Sequence, residues 1–579
     1  MQELETRLSL LSHEELKSLL LRRARGLTPR ERTSFLAIFP AMTEVEPCVP
    51  KTSDRDDELI ADIEAFAKAL EDGEYFEGWG WDDSIHNERA YGDMSWIGDM
   101  DDLFARASEM YLAGRRDLAA EAYGKLLHAF ELEEETGHFC GEGSPDSLVA
   151  TDVTEAKARY LRCIYETSSS EDRVARMIEE TKSLYYIGEE IELADIINAD
   201  TKPLSDEEEF LREWIVGLKA LDSEEVPVHR HHWWRPLLRE AVVLQDDVNG
   251  LAELARESGD VHPEAYQEWV VSLWQSGDSH SAISAAREGV ERIVNSGQKV
   301  RLADALATMA AREGDSTLAL AARRESWRAL PTLRPLLLYC GEGTPDRQVL
   351  DARLSEELAG ASSGSYTIPS ALYHSEGTPR LHLLLHLLAQ DYDAVVRQGD
   401  KMKPIGWSSS EHPGMVVFPF LTLAASGMTD RPDEGSSLAH MLDEMAITLS
   451  NRSSHGPLLP DTMDEPIESM LGRILLDTLS CHPVTSEDRT SYLDMAKRIA
   501  KKRIDSIVSN TYRGAYERAA RLAVAVGEAI SLRGSSSDGM EFAVSFRADY
   551  PRHIAFRTEL EKLIEHSPYL PSVPIRKKK

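Results

Sequence analysis

The sequence predicts an all-α chain built as an α-solenoid of stacked helical hairpins, and three observations carry that prediction. Apolar residues recur at helical spacing along most of the 579 residues. Glycine-containing turns separate paired helical segments, and small residues fall where the two helices of a pair would cross. Finally, a chain of this length exceeds what one hydrophobic core organises, whereas an array can grow one hairpin at a time.

The N-terminal segment 1–39 reads as helical. Leu16, Leu19, Leu20 and Leu21 lie around an amphipathic helix, Ser12 and Glu15 form a capping box, and Thr28-Pro29 opens a second short helix. Residues 40–57 hold Pro40, Pro47 and Pro50 among polar side chains and read as a linker. Helical periodicity returns at Glu58–Leu70 and opens a block of repeats expected to span 58–353. Within it, Tyr75–Trp96 is aromatic-rich and interrupted by Gly78, Gly80 and Gly92, so it is read as a loop that either packs down or presents its rings to a partner.

The repeat pattern is clearest at 101–130. Leu103, Ala107 and Met110 precede Gly114, and Ala119, Tyr123 and Leu126 follow it. The same arrangement recurs at Tyr266–Ile293 around Gly277-Asp278, with Ala282, Ala286 and Gly289 in the second helix, and at 303–331 around Gly314-Asp315. A more degenerate copy runs from Arg380 to Met402, with Gln390-Asp391-Tyr392 as its turn and Ala394 at the close-contact position. These segments resemble tetratricopeptide repeats, and Gly277 and Gly314 are separated by close to the roughly 34 residues of one such unit. Two further turns echo one another, CGEGSPD at 140–146 and CGEGTPD at 340–346, and both read as corners of the solenoid.

Residues 354–379 are rich in Gly, Ser, Thr and Pro and are expected to form a loop or domain boundary. A C-terminal helical block follows over 380–568, and 569–579 is a basic tail. The ending TYRGAYERAARLAVAVGEA with FRADYPRHIAFRTELEKL resembles the helical C-terminal region of bacterial SWIM zinc-finger proteins. The chain departs from that family at its defining CxC…CxH motif, since no two cysteines are separated by a single residue. The resemblance therefore implies a shared scaffold and not the finger's chemistry.

Composition narrows the function classes. With 64 Lys and Arg against 100 Asp and Glu, the formal charge of −36 repels phosphate backbones and anionic membranes alike. No apolar run approaches the ~20 residues of a membrane helix, and no signal-peptide stretch is evident, so a soluble cytoplasmic protein is expected. The five scattered cysteines suit a reducing compartment and offer no zinc-ligand spacing. The expectation is a non-catalytic adaptor or scaffold without a cofactor, taking up a protein partner through a basic or extended segment, with a metal-dependent or hydrolytic enzyme and a nucleic-acid-associated regulator as the alternatives.

Five places could do chemistry or recognition. Trp79, Trp81, Asp82, Asp83 and Trp96 combine aromatic rings with carboxylates, a pairing suited to Lys- or Arg-rich segments. The run from His229 to Arg235, with His231, His232, Trp233 and Trp234, is read as an interfacial loop in preference to a metal site, since adjacent imidazoles point different ways. Trp407 lies in GWSSSEHPG, whose Ser, Glu and His lack the elbow of a hydrolytic triad. His382 and His386 share a helix face without the glutamate of a zinc protease, and Lys497–Arg521 carries a basic patch.

Overall fold

The computed structural model describes residues 53–82, 87–132, 144–222, 232–259, 261–343, 346–363, 380–407, 412–450, 456–459 and 465–571. The architecture is all-α: the described residues contain 24 helices, which make up 75% of the structure, and one two-stranded hairpin. The chain divides into two compact units, Met1–Glu257 and Ser258–Lys579. The N-terminal helices expected within 1–39 lie outside the described residues.

The first unit opens with α1, Ser53–Glu71, which begins inside the stretch read as linker and buries Leu59, Ile63, Phe66 and Leu70. The hairpin of β1, Phe76–Asp82, and β2, Asn87–Gly92, follows. Next come α2, Ser95–Leu112, and α3, Arg116–Ala129, the first of the expected helix pairs. Ala107, Ala119 and Ala122 are fully buried, as a close helix crossing requires. The unit continues through α4, Pro145–Leu148, α5, Val153–Thr167, α6, Ser170–Ser183, α7, Leu193–Asn198, α8, Glu207–Leu221, and α9, Trp234–Ser258, which is broken at Asp246-Asp247.

Helix α5 lies at the centre of this unit and carries charge into it. The Lys157 ammonium donates to the carbonyls of Ile187 and Glu189, both at 2.7 Å, and burial pulls its pKa down to about 8. Arg162, 1% exposed, pairs with Glu166 and donates to the carbonyls of Ile197 and Lys202. These buried cations saturate carbonyls of irregular segments that no helix ladder serves.

The second unit repeats one device. Its hairpins are α10, Pro263–Gln275, with α11, Ser279–Arg292; α12, Ser296–Arg312, with α13, Ser316–Ala329; α14, Leu333–Gly341, with α15, Arg347–Ser363; and α16, Arg380–Leu388, with α17, Tyr392–Lys401. Gly277, Gly314 and Gln390 end three of the first helices at positive φ (86°, 82° and 68°). Asp278, Asp315 and Asp391 come immediately after, and each side chain accepts the amide three residues on, that of Ser281, Leu318 or Ala394. A left-handed residue stops one helix, and the aspartate caps the next; such a cap contributes about 0.5–2 kcal/mol. In the last pair Ala394 is only half-buried, and the buried small residue of α17, Gly399, faces out of the pair, where a Cβ would lie 2.8 Å from Met495 Sδ. Residues 354–363 complete α15 and bury Leu354 and Glu357, so composition misread the first part of the expected loop. Gly360, Ser362 and Ser363 lower helix propensity there, but Ala359 and Ala361 favour the helix and burial of Leu350 and Leu354 holds it.

Beyond the hairpins, the second unit closes as a bundle. Helix α18, Gly414–Ser426, has all thirteen residues buried. Around it and α22, Tyr516–Leu532, pack α19, Ser437–Leu449, α20, Ile467–Cys481, α21, Ser486–Val508, α23, Ser536–Asp549, and α24, Ile554–His566. A helix hydrophobic on every side has to be central. Glu528 of α22 is fully buried and accepts hydrogen bonds from Ser437 N (3.1 Å), Leu438 N (2.9 Å) and Ser567 Oγ (2.7 Å), so it caps α19 from another helix.

Candidate functional site

In the first unit, the antiparallel register sets Gly78 opposite Tyr91, Trp79 opposite Ala90, Gly80 opposite Arg89 and Trp81 opposite Glu88. Side chains alternate along a strand, so Trp79 and Trp81 share one face while the two glycines occupy the other. A Cβ on Gly80 would lie 2.8 Å from the Tyr91 ring, which fills the space that the glycine leaves open. Both indoles point away from the unit's core, with Trp79 63% and Trp81 60% exposed. Phe76 meets Trp79 edge-on at 6.2 Å, extending the apolar patch.

Exposed carboxylates lie in and beside the hairpin along the chain. Asp72, Glu74, Glu77, Asp93 and Asp99 are exposed. Tyr75 anchors the hairpin: its ring packs on Phe66 of α1 at 6.1 Å, and its hydroxyl donates to Asp99 Oδ2 at 3.2 Å. Burial and the neighbouring acids, chiefly Asp99, push the Tyr75 hydroxyl up to about 12. The side chain of Asp82 and all of Asp83 lie outside the described residues. Asp101 serves the fold, accepting from the amides of Ala150 and Thr151 and from the Thr151 hydroxyl.

Three tryptophans expected at a recognition surface belong to the core. Trp96 is 0% exposed at the start of α2, because its helical face turns inward from the hairpin. Trp234 is buried in the first turn of α9, and its Nε1 donates to Asp222 Oδ1 at 3.0 Å. His232 packs edge-on against it at 5.0 Å, and both His232 and Trp233 are half-buried; His231 lies outside the described residues. In the second unit, Trp407 is buried with the Arg503 guanidinium 4.0 Å from its ring and His412 stacked at 5.8 Å, while its carbonyl accepts from Arg380 Nη2 at 2.5 Å. The polar loop sequence concealed a hydrophobic slot that Phe418 of α18 helps to form. Ser408–Glu411 lie outside the described residues.

Part of the basic patch is paired with the chain's own acids. Lys497 pairs with Asp494, Arg498 with Asp400 and Arg521 with Glu517, while Arg503 is buried and its pKa is drawn down to about 10 by burial. His382 and His386 stack at 4.9 Å, and His386 Nδ1 meets Asp391 Oδ2 at 2.9 Å. Burial, and then His386, lowers the His382 pKa. Among the described residues no group of three His, Cys, Asp or Glu is arranged to hold a metal ion, and no helix is long and apolar enough to cross a membrane.

A second feature escaped sequence reasoning. Helix α12 presents Gly297, Val300, Arg301, Asp304, Ala305 and Thr308 to a groove of about 460 Å³, closed by α14 and by the start of α20. Leu333, Leu337, Leu338, Ile467 and Met470 supply its apolar wall. The only sequence signal was polar residues at 3–4 spacing on a repeat helix, a pattern that ordinarily marks a solvated face.

No family model and no curated protein matches the chain, so the SWIM resemblance gains no support from these comparisons. Among solved structures, a circular tandem repeat protein with novel repeat topology and enhanced subunit contact surfaces is similar over 88% of this chain and 83% of its own, at 14% identity and a TM-score of 0.12. A score that low carries no argument, and the helical-repeat architecture rests on the hairpins described above.

Proposed function

We propose that this protein is a non-catalytic protein-interaction adaptor whose β1–β2 hairpin takes up a basic, extended segment of a partner. The observation that carries the reading is the pair of solvent-facing indoles on one strand face of a hairpin flanked in the chain by exposed carboxylates. Two large rings more than half exposed on one strand face form an apolar patch, and contiguous exposed apolar groups usually mark a contact site. A Lys or Arg stacked on an indole gains about 0.5–1 kcal/mol at an exposed site, and the surrounding acids favour the same cation. The strand edge adds main-chain donors and acceptors for an extended peptide.

Fluorescence anisotropy tests the reading with a labelled peptide alternating Arg and Ala and a control in which Glu replaces Arg. The Arg peptide should bind the wild type and lose at least tenfold in affinity to the Trp79→Ala/Trp81→Ala variant, whose circular dichroism stays unchanged. Equal affinity for the two proteins, or for the two peptides, would refute it.

A further inference from the structure

The groove of the second unit is independent of the hairpin, and its charges are unevenly matched. Of the lining carboxylates, Asp304 and Glu342 are both engaged by Arg323, at 2.9 and 3.0 Å. Glu465, the third, pairs with Arg473 at 2.9 Å. Arg301 is left over: its Nε is buried without a hydrogen-bond partner, and among the described residues no carboxylate reaches it. A buried guanidinium N–H without an acceptor carries an uncompensated desolvation cost.

The surroundings define what would fit. Arg301 projects from α12 into a groove whose opposite wall is Leu333, Leu337 and Leu338 of α14 with Ile467 and Met470 of α20. Its volume of about 460 Å³ falls within the roughly 300–1,000 Å³ of small-molecule sites, which are mostly apolar with a few placed polar groups. A guanidinium fork matches a carboxylate in two parallel hydrogen bonds. In a chain of formal charge −36, a groove with four lining arginines, Arg301, Arg323, Arg334 and Arg473, against three carboxylates stands apart electrostatically.

We infer that this groove binds a small amphipathic carboxylate, with its anionic head on Arg301 and its aliphatic or aromatic tail along the leucine wall. The inference does not rest on the adaptor reading. A half-buried guanidinium at the groove wall gains charge-assisted hydrogen bonds from a ligand anion, and the tail removes apolar wall from water.

Isothermal titration calorimetry on the full chain tests this with decanoate and 4-phenylbutyrate, each against its uncharged alcohol, decanol or 4-phenylbutanol. At least one carboxylate should bind, with its alcohol at least tenfold weaker. Arg301→Gln should weaken the carboxylate at least tenfold and leave the alcohol unchanged, whereas Arg301→Lys should retain part of the affinity. The inference is overturned if neither carboxylate binds, or if acid and alcohol bind the wild type equally, a comparison that depends on no variant folding. Unchanged carboxylate affinity in a folded Arg301→Gln protein would overturn it as well.

Discussion

Two aromatic, glycine-bearing segments of this protein look alike on paper and behave in opposite ways. YFEGWGWDD in the first unit and PIGWSSSEHPG in the second each set tryptophan among glycines and polar residues. In the first, strand pairing fixes the alternation, and the indoles of Trp79 and Trp81 take the face turned to solvent. In the second, the chain before α18 folds Trp407 against Phe418, His412 and the Arg503 guanidinium, and the ring is lost to solvent. Whether an indole is available to a partner is decided by what packs against its segment, not by the segment's composition.

The difference can be broken deliberately. Trp407→Ala should show the largest effect, a loss of about 3–5 kcal/mol in chemical denaturation, because it empties a buried slot. Trp96→Ala should match it, since that ring too is fully buried. An effect under about 1 kcal/mol at either position would mean that the ring is not part of a packed core. Gly414→Ala is the subtler probe of the same slot: a Cβ there would sit 2.5 Å from the Trp407 indole, so a cost of about 1–3 kcal/mol is expected from overpacking.

A smaller effect is expected at Glu240. Burial raises its carboxyl to about 7 against the hydrogen bonds it accepts from Leu193 N and Ala194 N at the start of α7. The folded state therefore holds a proton that the unfolded state releases above about 4.5. The stabilisation is complete below that pH and is lost as pH rises through 7. Thermal melts between pH 4.5 and 7.5 should show wild-type stability falling relative to Glu240→Gln by on the order of 1 kcal/mol, about 2–4 °C; parallel curves would remove this role from Glu240. The smallest change of all should come from the exposed pair: Trp79→Ala/Trp81→Ala should leave the melting midpoint within about 0.5 kcal/mol of wild type. A large loss there would make the hairpin face part of the core.

Much of the fold could be read from residue patterns because hairpin turns are local. Gly277-Asp278 and Gly314-Asp315 announce a left-handed stop followed by a helix cap, and both physical requirements lie within four residues of chain. The candidate sites were less legible. Trp79 and Trp81 stand out in the sequence as an aromatic pair, but nothing in it separates them from Trp96, which sits on the next helix and faces inward. Arg301 drew no notice because an arginine on a helix face is ordinarily solvated, and only the approach of α14 and α20 turns that face into a groove wall.

What the sequence determined by itself is therefore the all-α class, the helix pairs across the turns at Gly114, Gly277, Gly314 and Gln390, and the strong negative charge, all properties of neighbouring residues or of simple sums over them. Tertiary structure alone decided which rings are buried, that Arg301 meets no carboxylate among the described residues, and that the chain forms two compact units, Met1–Glu257 and Ser258–Lys579. The physical reason is one of range: propensity and capping act within a turn of helix, whereas burial and charge pairing depend on elements that are distant in the chain and meet only after folding.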